Sequence, residues 1–250
     1  AIAPAFRLYG SAECLPALST MDLTHDPGGH LWIATRDGLA RFDGLGFKVF
    51  RNDPDDATSL PCNDVQTALA TRDGRIWVGC ESTGLAMLDD SEDTRFTRIV
   101  PDPAGNGLRG GDVFALTETA RGDLYIGTYA QGLARLRRGE AAPVALDRLM
   151  DLDPALRTAT VLDMAVDVDG VLWVGTLDAL WRIDAADADT PGPARKVVEL
   201  PLVNAVQVTR DGTLWVGANA ALFRRSAGTD TLSRVVLPEA AGLVESVVDG

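Results

Sequence analysis

Short apolar runs and small polar turns alternate along this chain, and the alternation recurs at long intervals. Its clearest form is Asp169-Gly170-Val171-Leu172-Trp173-Val174-Gly175-Thr176, a turn followed by a short apolar strand that a glycine closes. Near-copies stand at 28–35, 73–80, 121–128 and 211–218. Their aromatic anchors are Trp32, Trp77, Tyr125, Trp173 and Trp215, spaced by 45, 48, 48 and 42 residues. A period of this length marks a radial or solenoid repeat. Ahead of each anchor lies a run such as Val161–Val166 or Val203–Val208, whose length and β-branched content predict a strand. Nine residues before the anchor stands an apolar residue in every repeat: Leu23, Ala68, Leu116, Met164 and Val206. Three before it stands Gly29, Gly74, Gly122, Gly170 or Gly212, which predicts a two-residue hairpin turn with positive φ. The glycine that closes the anchor strand predicts close approach of neighbouring strands.

A short loop and a third apolar run follow, Gly38-Leu39-Ala40-Arg41-Phe42-Asp43 in the first repeat, with echoes from 84, 132, 179 and 221. A fourth, more variable run ends each repeat, from Phe47–Phe50 in the first to Leu232–Leu237 in the fifth. Four short antiparallel strands per repeat of this period describe a propeller blade. The chain is therefore predicted to be all-β: a β-propeller of four-stranded antiparallel blades, five full blades plus the first strand of a sixth, as a fragment of a seven-bladed ring. A single propeller region spans 1–250, with blades at 13–52, 59–100, 108–149, 157–201 and 202–238 and a partial blade at 243–250. Phe6–Tyr9 is predicted as a lone strand ahead of the first blade. No segment shows sustained helical periodicity.

The run Leu31-Trp32-Ile33-Ala34-Thr35-Arg36-Asp37-Gly38-Leu39-Ala40-Arg41-Phe42-Asp43-Gly44 resembles the repeats of the two-component-regulator propeller family. The preceding segments Cys14-Leu15-Pro16 and Ser59-Leu60-Pro61-Cys62-Asn63-Asp64-Val65 resemble that family's Gly-Leu-Pro-x-Asn-x-Val. Five tandem copies carry the resemblance over nearly the whole chain. It implies the periplasmic, ligand-sensing or interaction region of a membrane-anchored bacterial signalling protein, non-catalytic in itself, with its signal peptide removed. The output, a histidine kinase or a diguanylate cyclase, and any contact with the membrane would lie in segments downstream. Repeat three departs from the pattern with Tyr125 in place of Trp and no aspartate in its turn.

Charge narrows the partners. A net charge of −13 argues against nucleic acid and against anionic membrane surfaces. Three cysteines make no scaffold or zinc cluster, and a Cys14–Cys62 or a Cys62–Cys80 pair is open in an oxidising compartment. His25 and His30 flank the first turn as solvated turn residues, and Asp167 and Asp169 lack the further ligands of a calcium loop. No catalytic residue, metal site or cofactor is predicted. Arg41, Arg135, Arg182 and Arg224 share one position of the third strand and are predicted to pair with acidic neighbours between blades.

Antiparallel order puts the segment before the first strand and the loop between the second and third at one end of the blade. That rim holds Asn63, Asp64, Arg109, Asp112 and Asn204 before the first strands. After the second strands it holds Arg36, Asp37, Glu81, Ser82, Tyr129, Gln131, Asp178 and Asn219. These positions differ between repeats while the framework does not, so they are free to recognise something. The ligand-binding candidates are Arg36, Asp37, Asn63, Glu81, Arg109, Tyr129, Gln131, Asn204 and Asn219. A small molecule, a glycan or a peptide is the expected partner, with self-association a further possibility. The alternatives are a propeller enzyme of lyase or glycosidase type, with its site at the channel mouth, and a purely structural propeller that binds other proteins.

Overall fold

The computed structural model of the protein describes residues 8–10, 12, 14–89, 93–102, 107–229 and 231–236. The described residues form five four-stranded antiparallel sheets, each a meander in sequence order. The first is β1 (Thr20–His25), β2 (Leu31–Thr35), β3 (Gly38–Phe42) and β4 (Phe47–Phe50). The second is β5 (Val65–Ala70), β6 (Ile76–Cys80), β7 (Leu85–Leu88) and β8 (Thr97–Ile99). The third is β9 (Val113–Glu118), β10 (Leu124–Thr128), β11 (Leu133–Leu136) and β12 (Val144–Ala145). The fourth is β13 (Val161–Val166), β14 (Leu172–Thr176), β15 (Ala179–Ile183) and β16 (Ala194–Glu199). The fifth is β17 (Val203–Val208), β18 (Leu214–Ala218), β19 (Ala221–Arg225) and β20 (Ser233–Val235). This is the blade pattern expected of a propeller, and it confirms the four-strand grammar of each repeat.

Two details depart from expectation. The fourth strand of the third blade is cut to two residues, and a 3-10 turn at Leu146–Arg148 and a one-turn helix α1 (Pro154–Arg157) follow it. Pro154 starts α1, and the Asp153 carboxylate accepts the Ala155 amide at 2.8 Å as its cap. Leu146, Leu152 and Leu156 are thereby buried beside β13. Leu8, Tyr9 and Gly10 form no strand; Tyr9 instead sets its ring 5.0 Å from Phe42 and 6.0 Å from Phe47. The rest of the expected lone strand and the sixth-blade strand at 243–250 lie outside the described residues.

The chain divides into two compact units, residues 1–98 with the first two blades and residues 99–250 with the last three. Within the first unit β1 lies beside β5, and within the second β9, β13 and β17 lie side by side. These inner strands pack closely because the residue two after the anchor is small. A Cβ added to Gly127 would sit 2.5 Å from Val161 Cγ1, and one added to Gly175 would sit 2.6 Å from the Val203 carbonyl oxygen. The apolar residues nine before the anchors fill the same interfaces: Ala68, Leu116, Met164 and Val206 are buried.

Two carboxylates staple neighbouring inner strands. Asp22 accepts its own Leu23 amide on Oδ1 at 2.7 Å. Its Oδ2 accepts the Ala68 amide of the next blade at 3.0 Å and the Thr67 hydroxyl at 2.7 Å. Asp163 repeats this with the Met164 amide at 2.8 Å and the Val206 amide at 2.7 Å. Burial pushes the Asp22 carboxyl up, and the hydrogen bonds from Thr67, Ala68 and Leu23 offset only part of that rise.

The hairpin glycines adopt positive φ, from 75° to 92°, as predicted. The turn itself is longer than predicted. In all five blades the amide of the residue six before the anchor donates to the carbonyl of the residue two before it, as in Asp167 to Val171 at 2.9 Å. The glycine amide returns to the carbonyl of that first residue, as in Gly170 to Asp167 at 3.1 Å. Three residues are therefore enclosed, with glycine at the left-handed position of a bulged turn. The first residue also serves the anchor. Trp32 Nε1 donates to Asp26 Oδ2 and Trp173 Nε1 to Asp167 Oδ2, each at 2.9 Å. Burial raises the Asp26 carboxyl, but the bonds from the Trp32 indole and from the His30 amide and ring outweigh it and hold the group below its ordinary range.

Each third-strand arginine faces the anchor of its own blade, Trp32 opposite Arg41, Tyr125 opposite Arg135, Trp173 opposite Arg182 and Trp215 opposite Arg224. The guanidinium lies 5.6 to 5.7 Å from the ring centroid in the last three, a contact worth about 0.5–2 kcal/mol. The acidic partners are in the same blade rather than across blades: Arg135 binds Asp123 and Arg182 binds Asp184. Arg135 is buried and also donates to the backbone carbonyls of Asp187 and Ala188 in the next blade. Tyr125 follows the same route, its hydroxyl donating to the Ala186 carbonyl at 2.8 Å. Thr119 opens this hairpin, as Thr71 and Thr209 open those of Trp77 and Trp215. Burial pushes the Tyr125 hydroxyl up to about 12.

Two outcomes follow from this packing. Gly175→Ala meets a backbone carbonyl and is expected to cost about 1–3 kcal/mol in urea unfolding, whereas Gly46→Ala, with nothing within 4 Å, should cost far less. Asp22 has a folded-state pKa above its unfolded value of about 3.9, so its contribution is fully present below that pH and is lost as pH rises through the folded value. Asp22→Asn should therefore gain stability relative to the parent between about pH 3.5 and about pH 7. A stability difference that stays constant over that interval would contradict the assignment.

Candidate functional site

The residues that recur in every blade are occupied by these internal contacts, which leaves the rim. Backbone bonds bring the two sets of rim segments together. Gly38 donates to the Asn63 carbonyl at 2.7 Å, Gly132 to Ala159 at 3.1 Å and Leu202 to Leu177 at 2.7 Å, each joining a loop to the start of the next blade. Within a blade, Glu81 donates to Asp64, Tyr129 to Asp112 and Asn219 to Leu202.

In residues 1–98 Asp64 and Gln66 link Arg36 with Glu81, and Asp37 and Asn63 make separate polar contacts. Arg36 Nη1 lies 3.5 Å from Asp64 Oδ2, and Asp37 Oδ2 pairs with Arg51 at 3.0 Å. Asn63 Oδ1 accepts the Asn52 amide at 2.8 Å. Gln66 Nε2 donates to Asp64 Oδ1 at 2.8 Å and approaches Glu81 Oε2 at 3.5 Å. Asn63 thus braces the loop, while Arg36 stays more than half exposed. Beneath this network Cys62 and Cys80, both buried, form a disulfide with Cα atoms 6.0 Å apart; Cys14 is free and exposed. The disulfide ties the start of the second blade to the end of its anchor strand.

In residues 99–250 the candidates separate by role. Arg109 is held by Asp147 at 2.9 Å, with Arg157 at 3.7 Å on the other oxygen, in a half-buried ion cluster. Gln131 lays its stem against Gly110. Tyr129 is 51% exposed, its ring centroid 5.8 Å from that of Phe114. Asn204 leaves Oδ1 buried without a hydrogen-bond partner. Asn219 takes a left-handed φ of 43°, which asparagine tolerates.

The inner-strand side of this rim escaped the sequence reading. In every blade the pairing of the first two strands slips by one residue. The extra residues are Met21, Gln66, Phe114, Leu162 and Asn204, all eleven before their anchor. A bulge re-aims its side chain. Gln66 reaches Glu81, and Phe114 meets Tyr129. Both partners stand four after the anchor, and the same two positions hold Leu162 with Leu177, Asn204 with Asn219 and Met21 with Arg36. The signal available was the chemical matching of these pairs: amide with carboxylate, aromatic with aromatic, aliphatic with aliphatic, amide with amide.

The remaining chemistry is structural. His30 Nδ1 lies 3.0 Å from Asp26 Oδ2, at the turn end of the first blade. Asp167 accepts the Asp169 and Val171 amides as well as the Trp173 indole, so its carboxylate serves the turn. Among the described residues no group of three or more His, Cys, Asp or Glu is placed to hold a metal ion.

Comparisons with known proteins agree with this architecture. Residues 59–82 match the family model described as two component regulator propeller. A 55-residue stretch is 44% identical to Histidine kinase P4 of Formosa agariphila, covering 22% of this chain and 4% of that protein. An extracellular domain attributed to a hybrid two component system of B. thetaiotaomicron superposes with a TM-score of 0.76 at 21% identity, covering 91% of this chain and 31% of the other. Virginiamycin B lyase of Staphylococcus aureus superposes with a TM-score of 0.67 at 13% identity, covering 93% of this chain and 74% of the lyase. The chain thus spans about a third of the length of that extracellular domain and a small part of the kinase. The match to the two component regulator propeller model covers residues 59–82, one of the five repeats.

Proposed function

We propose that this chain is a ligand-sensing or interaction region of a bacterial two-component signalling protein, that it works outside the cytoplasm, and that it does no chemistry of its own. One observation carries the recognition role: the recurring residues are occupied by the fold, and the residues that differ between blades lie at the same end of each blade. A scaffold with variable loops at one edge is the usual design of a binding region. The likeness to an extracellular sensor domain and to part of a histidine kinase supports the signalling context. The buried Cys62–Cys80 disulfide supports the compartment, because such bonds persist where the medium is oxidising. Arg36, Asp37, Asn63, Glu81, Arg109, Tyr129, Gln131, Asn204 and Asn219 are proposed as the rim set, with Asn63 and Arg109 supporting the loops rather than touching a ligand.

Cysteine accessibility tests the compartment. In intact cells with a permeabilised outer membrane, a maleimide that cannot cross the inner membrane should label Cys14. Cys62 and Cys80 should become reactive only after reduction and unfolding. Protection of Cys14 until the inner membrane is broken, with Cys62 and Cys80 found as thiols, would place the chain in the cytoplasm and remove the proposal.

A further inference from the structure

We infer that the inner row of the rim in residues 99–250 binds an extended peptide that is apolar and positively charged; the inference rests on the recognition role proposed for the rim. Because β9, β13 and β17 lie side by side, their bulge pairs follow in order: Phe114 with Tyr129, Leu162 with Leu177, Asn204 with Asn219. The row reads aromatic, aliphatic, amide. Tyr129 and Leu177 are 51% and 48% exposed, so two large apolar side chains of adjacent blades face solvent at equivalent positions.

Charge and hydrogen bonding choose among ligands. Arg109, a cation of this rim, is held by Asp147, while Asp178 follows Leu177 on its loop and Asp112 lies beside Tyr129, whose amide donates to its carbonyl. With a chain charge of −13, the row favours a cationic ligand over an anionic one. A sugar stacked on Tyr129 would present hydroxyls toward Leu162 and Leu177, where no polar partner stands, and burying unpaired hydroxyls is costly. Apolar side chains of a peptide fit there instead. Asn204 and Asn219 close the row with two amides, although Asn204 Oδ1 itself is buried and without a hydrogen-bond partner.

The test is titration calorimetry of the whole chain with three probes: acetyl-Lys-Phe-Thr-Leu-Lys-amide, the same peptide with Glu for both Lys, and maltopentaose. The lysine peptide is expected to bind with a Kd below about 1 mM and the glutamate peptide at least about tenfold more weakly. Tyr129→Ala and Leu177→Ala, both truncations of exposed side chains, should each weaken the lysine peptide about tenfold. Val168→Ala should not, since Val168 is 75% exposed but sits at the turn end of its blade. Absence of lysine-peptide binding, binding unchanged in both rim variants, or an equal loss in Val168→Ala overturns the inference. Tighter binding of the glutamate peptide also overturns it. Maltopentaose binding that is lost in Tyr129→Ala assigns the row to a sugar; that outcome sinks the peptide and leaves the recognition role of the rim standing.

Discussion

The close approach of one inner strand to the next is the constraint on which the rest of this structure depends. A four-stranded blade has two faces, and neither is buried until another blade covers it. The contact forms only where backbone meets backbone, so the residue two after each anchor must be small. Gly127 against Val161 and Gly175 against Val203 show how little room remains. Asp22 and Asp163 complete the junction by drawing the amides of two successive inner strands onto one carboxylate. Burial makes such a carboxylate costly, and three or more hydrogen-bond donors offset that cost only in part at Asp22.

The large anchor aromatics set a second condition: each buried polar tip needs a partner. Trp32 and Trp173 find theirs in the aspartate that opens the hairpin. Tyr125, in a hairpin opened by Thr119, finds its own on a carbonyl of the next blade. The third-strand arginines cover the same rings from across the sheet. Once these contacts are made, little of the recurring sequence is left to act on other molecules. Recognition therefore falls to the loops and to the bulge residues beside them, which carry no common structural duty.

Much of this was legible in the chain. The period, the four strands per repeat and the positive-φ glycines follow from local chemistry that is the same five times over. The hairpin length was less legible, because a glycine at the left-handed position serves two-residue and three-residue turns alike. The arginine partners were half legible: a recurring cation on a strand announces a structural role, but alternation does not say whether its carboxylate lies in its own blade. Tyr125 looked like drift, yet its hydroxyl has an acceptor 61 residues away in sequence. Among the rim candidates, nothing local separates Arg109, held half-buried in an ion cluster, from Arg36, which faces solvent.

By itself the sequence determined the blades, since a repeat that writes the same strand, turn and anchor pattern each time leaves only one way to pair neighbouring segments. Tertiary structure alone decided what lies between distant positions. It chose Cys62–Cys80 over Cys14–Cys62. It set Arg135 on the carbonyls of the next blade. It also slipped each inner strand by one residue, turning Phe114 toward Tyr129 and Gln66 toward Glu81. The physical reason is one of range. Turn and strand preferences act over a few residues and can be read in order, whereas a bulge, a disulfide or a borrowed carbonyl depends on where a neighbouring strand ends up in space.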